Sequence, residues 1–205
     1  MDLKTLKSAT LAVTADVTNY SGEKKQVEIN GNIENISFKS SFPLNPGETK
    51  PVKFDLKVDN PRLWWPNGLG KPEMYNLNME LKDGFQEADR QSKRFGIRKI
   101  ETYLTKDNVR GYKVNGREVL IKSGGWVDDL FLRYMPEKDA AQIRMVKEMN
   151  MNSIRFEGIW GNNHHIFDLC DENGILMLVA QPPLHPDLGN RQRCLSQNRT
   201  GSKIH

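Results

Sequence analysis

The chain has 205 residues, 37% of them hydrophobic, with a formal net charge of +4, enough material for one or two cored domains. From Asp187 onward, Arg191, Arg193, Arg199 and Lys203 stand against a single acid, so +3 of the charge sits in the last stretch and no basic face for nucleic acid is implied. Two cysteines, Cys170 and Cys194, exclude a disulfide framework and metal-type spacing, and no run approaches the roughly 18–20 apolar residues of a membrane span, nor does "MDLKTLKSAT" carry a signal-peptide core.

From Ser8 to about Ile100 the apolar residues recur with period two. Leu11, Val13, Ala15 and Val17 alternate in one run, Val52, Phe54, Leu56 and Val58 in a second, and Tyr75, Leu77, Met79 and Leu81 in a third. Turn signals separate the runs at Asn30-Gly31, Asn45-Pro46-Gly47, Asn67-Gly68 and Asp83-Gly84. Short strands at such spacing predict an immunoglobulin-like β-sandwich over residues 1–100.

Beyond Phe95 the pattern changes. Asn115-Gly116 lies between two apolar runs, a hairpin signal, and the second run ends on Gly124-Gly125-Trp126. Ala140, Ile143, Val146 and Met149 then recur at helical spacing behind Pro136, whose missing N–H is harmless at a helix start. "NSIRFEG" reads as a strand, "HHIFDLCDEN" as a helix closed by Gly174 in a left-handed cap, and "ILMLVA" as a buried strand. Strand, helix, strand, helix, strand predicts parallel strands with helical crossovers over residues 101–180, in a doubly wound sheet or a (β/α)8 barrel. From Gln181 to His205 neither period survives, and the segment reads as a disordered or non-native tail.

Four stretches, "NPRLWWPNGLGKPEMYNLNMEL", "RFGIRKIET", "KVNGREVLIKSGGWVDDLFLR" and "MNMNSIRFEGIWGNNHHIFDLCDENGILMLV", together resemble family 2 glycoside hydrolases, especially the β-mannosidase and exo-β-glucosaminidase branch. The resemblance runs from about Leu6 to Val179. It implies an exo-acting, retaining β-glycosidase in which an immunoglobulin-like domain leads into a TIM barrel, here an incomplete one of about three strands. It also implies a β-linked carbohydrate as substrate of the parent enzyme. Separately from the resemblance, no cofactor and no metal site is expected in this chain. The family's two catalytic glutamates belong to later barrel strands, so no catalytic residue is numbered in this chain, and the chain is expected to be an inactive fragment.

Four residues stand out as candidate substrate-binding groups: Trp126, Asp129, Arg155 and Glu157. A charge ending a buried strand costs free energy unless it is paired or solvated, so Arg155 and Glu157 mark either an active-site mouth or an ion pair at the strand end. By resemblance, Arg155 lies near the nucleophile and helps keep it ionised. The loop at Gly124, Gly125, Trp126 and Asp129 would by resemblance form the terminal sugar subsite, with the indole as apolar wall and Asp129 reaching a sugar substituent. The alternative for that loop is a packed Trp126 and a solvated helix start.

Trp64 and Trp65 read as core of the sandwich or its contact with the barrel rather than as a sugar platform. His164 and His165 are sequence neighbours, pointing about a hundred degrees apart on a helix, so they cannot chelate one metal together. Asp168, Asp171 and Glu172 read as a solvated acidic helix face. The competing function is a non-catalytic immunoglobulin-like binding or structural module, which would leave "SGGWVDDLFLR" and "NSIRFEG" without a purpose.

Overall fold

The computed structural model describes residues 6–127, 129, 131, 133, 135–156, 165–179 and 200–201. The chain forms two compact units. The first takes Met1–Pro61, Tyr75–Phe95 and the C-terminal stretch holding Thr200–Gly201, and the second takes Arg62–Met74 and Gly96–Ser196.

The first unit is an antiparallel sandwich of β1 (Ser8–Thr18), β2 (Lys25–Ile33), β3 (Ile36–Leu44), β4 (Thr49–Asp59), β5 (Tyr75–Asp83) and β6 (Gln86–Phe95). One sheet has the order β3-β2-β5-β6, and in the other β1 pairs with β4. Alternation decides which side chains face inward: Val13, Ala15 and Val17 of β1, Val27, Ile29 and Ile33 of β2, and Tyr75, Leu77, Met79 and Leu81 of β5 are all buried. Phe38 of β3 and Phe54 of β4 meet across the sheets with ring centroids 4.5 Å apart. Gly31 pairs with Phe38 across the β2–β3 ladder, and the Phe38 ring fills the space that a side chain on residue 31 would need. At one end Asn19, only 4% exposed, donates to the carbonyls of Glu23, Leu44 and Asn45 and accepts from Ser21, adding side-chain bonds to the backbone bonds that join the β1–β2 and β3–β4 loops. The last strand of the chain, the two-residue β13 (Thr200–Gly201), pairs parallel with β1 at Ala15 and Asp16. The other residues of 181–205 lie outside the described residues.

The second unit begins with an excursion, Arg62–Met74, that leaves the sandwich between β4 and β5. Trp64 is completely buried, its indole N–H donating to the Asp171 carbonyl at 2.6 Å. The Arg98 guanidinium lies 4.3 Å from its ring centroid and bonds the Asp171 carboxylate at 2.9 Å. Asp171 is therefore not merely a solvated helix residue. It joins a tryptophan, an arginine and a helix end.

Next come β7 (Ile100–Leu104), β8 (Arg110–Val114) and β9 (Arg117–Val119), an antiparallel sheet of three. The β8–β9 turn is Asn115-Gly116, with φ of 51° and 80°, the positive pair that a tight hairpin requires. Asn115 is 2% exposed. Its amide donates to the Trp64 carbonyl at 3.0 Å and accepts from the Lys99 N–H at 2.9 Å.

The run expected to form one strand up to Trp126 serves two sheets instead. It breaks at 120–122, and β10 (Ser123–Trp126) opens a parallel sheet, β10-β11-β12, with β11 (Ser153–Phe156) and β12 (Leu176–Val179). Asn152 secures the break, donating to the Leu120 carbonyl at 2.9 Å and accepting from the Lys122 N–H at 2.9 Å. The crossovers are α1 (Pro136–Glu148) and α2 (His165–Asn173). Gly174 closes α2 at φ 72°, as expected for a left-handed cap. Its carbonyl accepts the Asn67 N–H at 2.8 Å.

Candidate active-site strands

The parallel register sets Ser123, Ser153 and Leu176 side by side, then Gly124, Ile154 and Met177, then Gly125, Arg155 and Leu178, and finally Trp126, Phe156 and Val179. Side chains alternate between faces. Ile154, Phe156 and Trp126 point with Ile143 of α1 and Ile166 and Cys170 of α2 into one apolar core, whose Phe156 and Phe167 rings stack at 6.3 Å. Burial pushes the Cys170 thiol up, which makes it an inert core group.

The other face carries Ser153 and Arg155. Three of the four residues of β11 are buried and Arg155 is exposed, so the central strand offers one charged side chain, flanked by Gly125 and Leu178. The Ser153 hydroxyl is buried on the same face and has no hydrogen-bond partner among the described residues. Glu157, the next residue singled out in the sequence, lies outside the described residues, as does His164.

Trp126 is 9% exposed, and its ring tilts against Phe156 at 6.0 Å. The indole thus belongs to the core beneath the strand ends. Asp129 lies three residues further on, its side chain 12% exposed. Its Oδ1 accepts the Phe131 N–H at 3.0 Å and the Arg133 Nε–H at 3.1 Å. Its Oδ2 accepts from Arg133 Nη2 at 3.4 Å and from Lys138 Nζ at 3.3 Å. Hydrogen bonds from the Arg133 guanidinium, then from the Phe131 N–H and Lys138, hold the carboxyl well below the usual range, against the opposing effect of burial. One carboxylate therefore gathers the β10–α1 connection and the first turn of α1. Asp129 and Arg133 precede α1, so helical spacing does not signal their pairing, and it depends, like the Lys138 contact, on the loop's path.

Among the described residues, no group of three or more histidine, cysteine, aspartate or glutamate side chains could hold a metal ion, and no helix is long and apolar enough to cross a membrane.

The family model for glycosyl hydrolases family 2 matches residues 1–98. An exo-β-D-glucosaminidase of Streptomyces avermitilis is 35% identical over 189 residues, covering 87% of this chain and 20% of that protein. A mannosylglycoprotein endo-β-mannosidase of Lilium longiflorum is 30% identical over 162 residues, covering 73% and 16%. Among solved structures, the Amycolatopsis orientalis exo-chitosanase CsxA superposes with a TM-score of 0.80 at 32% identity, covering 84% of this chain and 20% of that one. The chain spans about a fifth of the length of the first relatives it matches. The family match covers the six sandwich strands, and the likeness in sequence and fold extends to 87% and 84% of the chain: the chain belongs to glycosyl hydrolases family 2.

Proposed function

We propose that β10, β11 and β12 with their two helices are the opening strands of a (β/α)8 barrel, preceded by an immunoglobulin-like domain, and that a retaining exo-β-glycosidase is the activity this architecture serves. The observation that carries the reading is the exposure of Arg155 on an otherwise buried central strand. In a barrel, residues at strand C-termini face the reaction centre. A guanidinium there favours the ionised form of a nearby carboxyl nucleophile. Within this reading Asp129 positions the loop at the sugar site, Trp126 packs beneath it, and Glu157, two residues after Arg155 in the sequence, is a further candidate substrate-binding group.

The substrate class is a β-linked amino sugar or mannoside at the non-reducing end of a chain, after the relatives that are exo-β-D-glucosaminidases and β-mannosidases. Retention requires two carboxyl groups about 5–5.5 Å apart. We assign neither to this chain, so the 205 residues by themselves leave a β-linked substrate intact.

The test is to assay the purified chain, and any longer form of the protein, on p-nitrophenyl β-D-glucosaminide and p-nitrophenyl β-D-mannoside. The short chain gives no turnover. In an active longer form Arg155→Ala lowers kcat by a factor of about 10²–10³, in line with loss of a preorganised electrostatic contact, while Arg155→Lys recovers part of it. Turnover by the short chain, or an unchanged kcat in Arg155→Ala, overturns the reading.

A further inference from the structure

The sandwich protects three of its four sheet edges. A free edge presents unpaired N–H and C=O groups, and proteins blunt it with charged residues, proline or a cover. β6 carries Glu87, Asp89, Arg90, Lys93 and Arg94 among ten residues. β4 carries Pro51 with Lys53, Asp55, Lys57 and Asp59, and β3 carries Lys39 and Pro43. β1, at eleven residues one of the two longest strands, reads Ser-Ala-Thr-Leu-Ala-Val-Thr-Ala-Asp-Val-Thr, with no proline and one charge, Asp16.

Two further observations fall on the same edge. Ala15 and Val17 of β1 line a cleft between the sheets with Ile29, Met79 and Leu81, so the inner face beside this edge is apolar. Thr200–Gly201 pairs in parallel with β1 at Ala15 and Asp16, next to that cleft. The sheet is also lopsided, since β1 and β4 face four strands.

From these observations we infer that the β1 edge is a strand-acceptor site, that the chain's own segment at Thr200–Gly201 occupies it, and that this cap keeps off the β1 strand of a second copy. Main-chain hydrogen bonds supply the attraction, as in strand addition generally. The inference concerns the sandwich and stands apart from the glycosidase reading.

Hydrogen exchange on the full chain tests it. In a strand with one antiparallel partner, alternate amides point away from that partner, and the outward amides nearest Ala15 and Asp16 are the readout. In the unaltered chain at low concentration they exchange at least about tenfold more slowly than in the Thr200→Pro/Gly201→Pro variant, whose prolines cannot donate to a ladder. That variant forms a dimer as its concentration rises, and adding Ala12→Lys, a guard residue on the exposed face of β1, returns it to monomer. Equal exchange in the two chains overturns the cap. A variant that loses protection yet stays monomeric at every concentration overturns the second copy as the excluded partner.

Discussion

Buried amides do much of the fastening in this chain. Asn19, Asn115 and Asn152 are at most 4% exposed, and each donates to a backbone carbonyl far along the chain, on Leu44, Trp64 and Leu120 respectively. A buried group left without its partner costs about 1–3 kcal/mol. For Asn115 two effects are separable: the positive φ and the side-chain bonds. Asn115→Gly keeps the turn and loses the bonds, so denaturant unfolding should show a loss of about 1–3 kcal/mol. Asn115→Ala adds backbone strain and should lose more. Equal stability of the glycine variant and the parent would show that the amide bonds contribute nothing. Asp129 makes a prediction in pH. Its carboxyl is held below the usual value in the folded chain, so its contribution is present above the unfolded pKa, about 3.9, and is lost only as pH falls through the lower folded value. An NMR titration of its carboxyl carbon should show no midpoint in the ordinary range, and a midpoint near 3.9 would contradict the pairing with Arg133 and Lys138.

At the scale of elements, period-two and helical patterns make most strands and both helices readable, because each reports burial of one face within a few residues. Asn115-Gly116 and Gly174 are readable for a second reason, as their backbone angles admit few residue types. The break at 120–122 is not, since it rests on Asn152, some thirty residues away. Likewise, nothing local in Trp64 announces Asp171, 107 residues on. Of the site, the exposure of Arg155 is legible from a charge ending an apolar run, whereas the hold of two cations on Asp129 depends on a loop path that no period reports. Cross-strand packing also escapes periodicity, as Gly31 and Phe38 show. Gly31→Ala puts a methyl into the Phe38 ring, and overpacking of this kind costs about 1–3 kcal/mol. Adding Phe38→Leu should recover part of that loss, which a double-mutant cycle on thermal or denaturant unfolding would detect. Strict additivity would mean that the two residues do not conflict.

At the scale of the whole molecule, the chain passes from the first unit to the second at Arg62, back at Tyr75 and out again at Gly96. No single cut separates the units. A chain ending at residue 98 keeps all six sandwich strands but strips Trp64 of Asn115 and Asp171. Limited proteolysis should therefore cut it within residues 62–74, a stretch that resists in the full chain, and equal resistance would show that the excursion holds its shape without those partners. The same threading distributes the chromophores. All four tryptophans, Trp64, Trp65, Trp126 and Trp160, fall in the stretches of the second unit, while residues 1–61 and 75–95 contain none. Selective indole excitation is therefore blind to the sandwich, whose strands dominate the β signal in circular dichroism. Superimposed fluorescence and dichroism melting curves would mark one cooperative transition, and separated curves would give each unit its own.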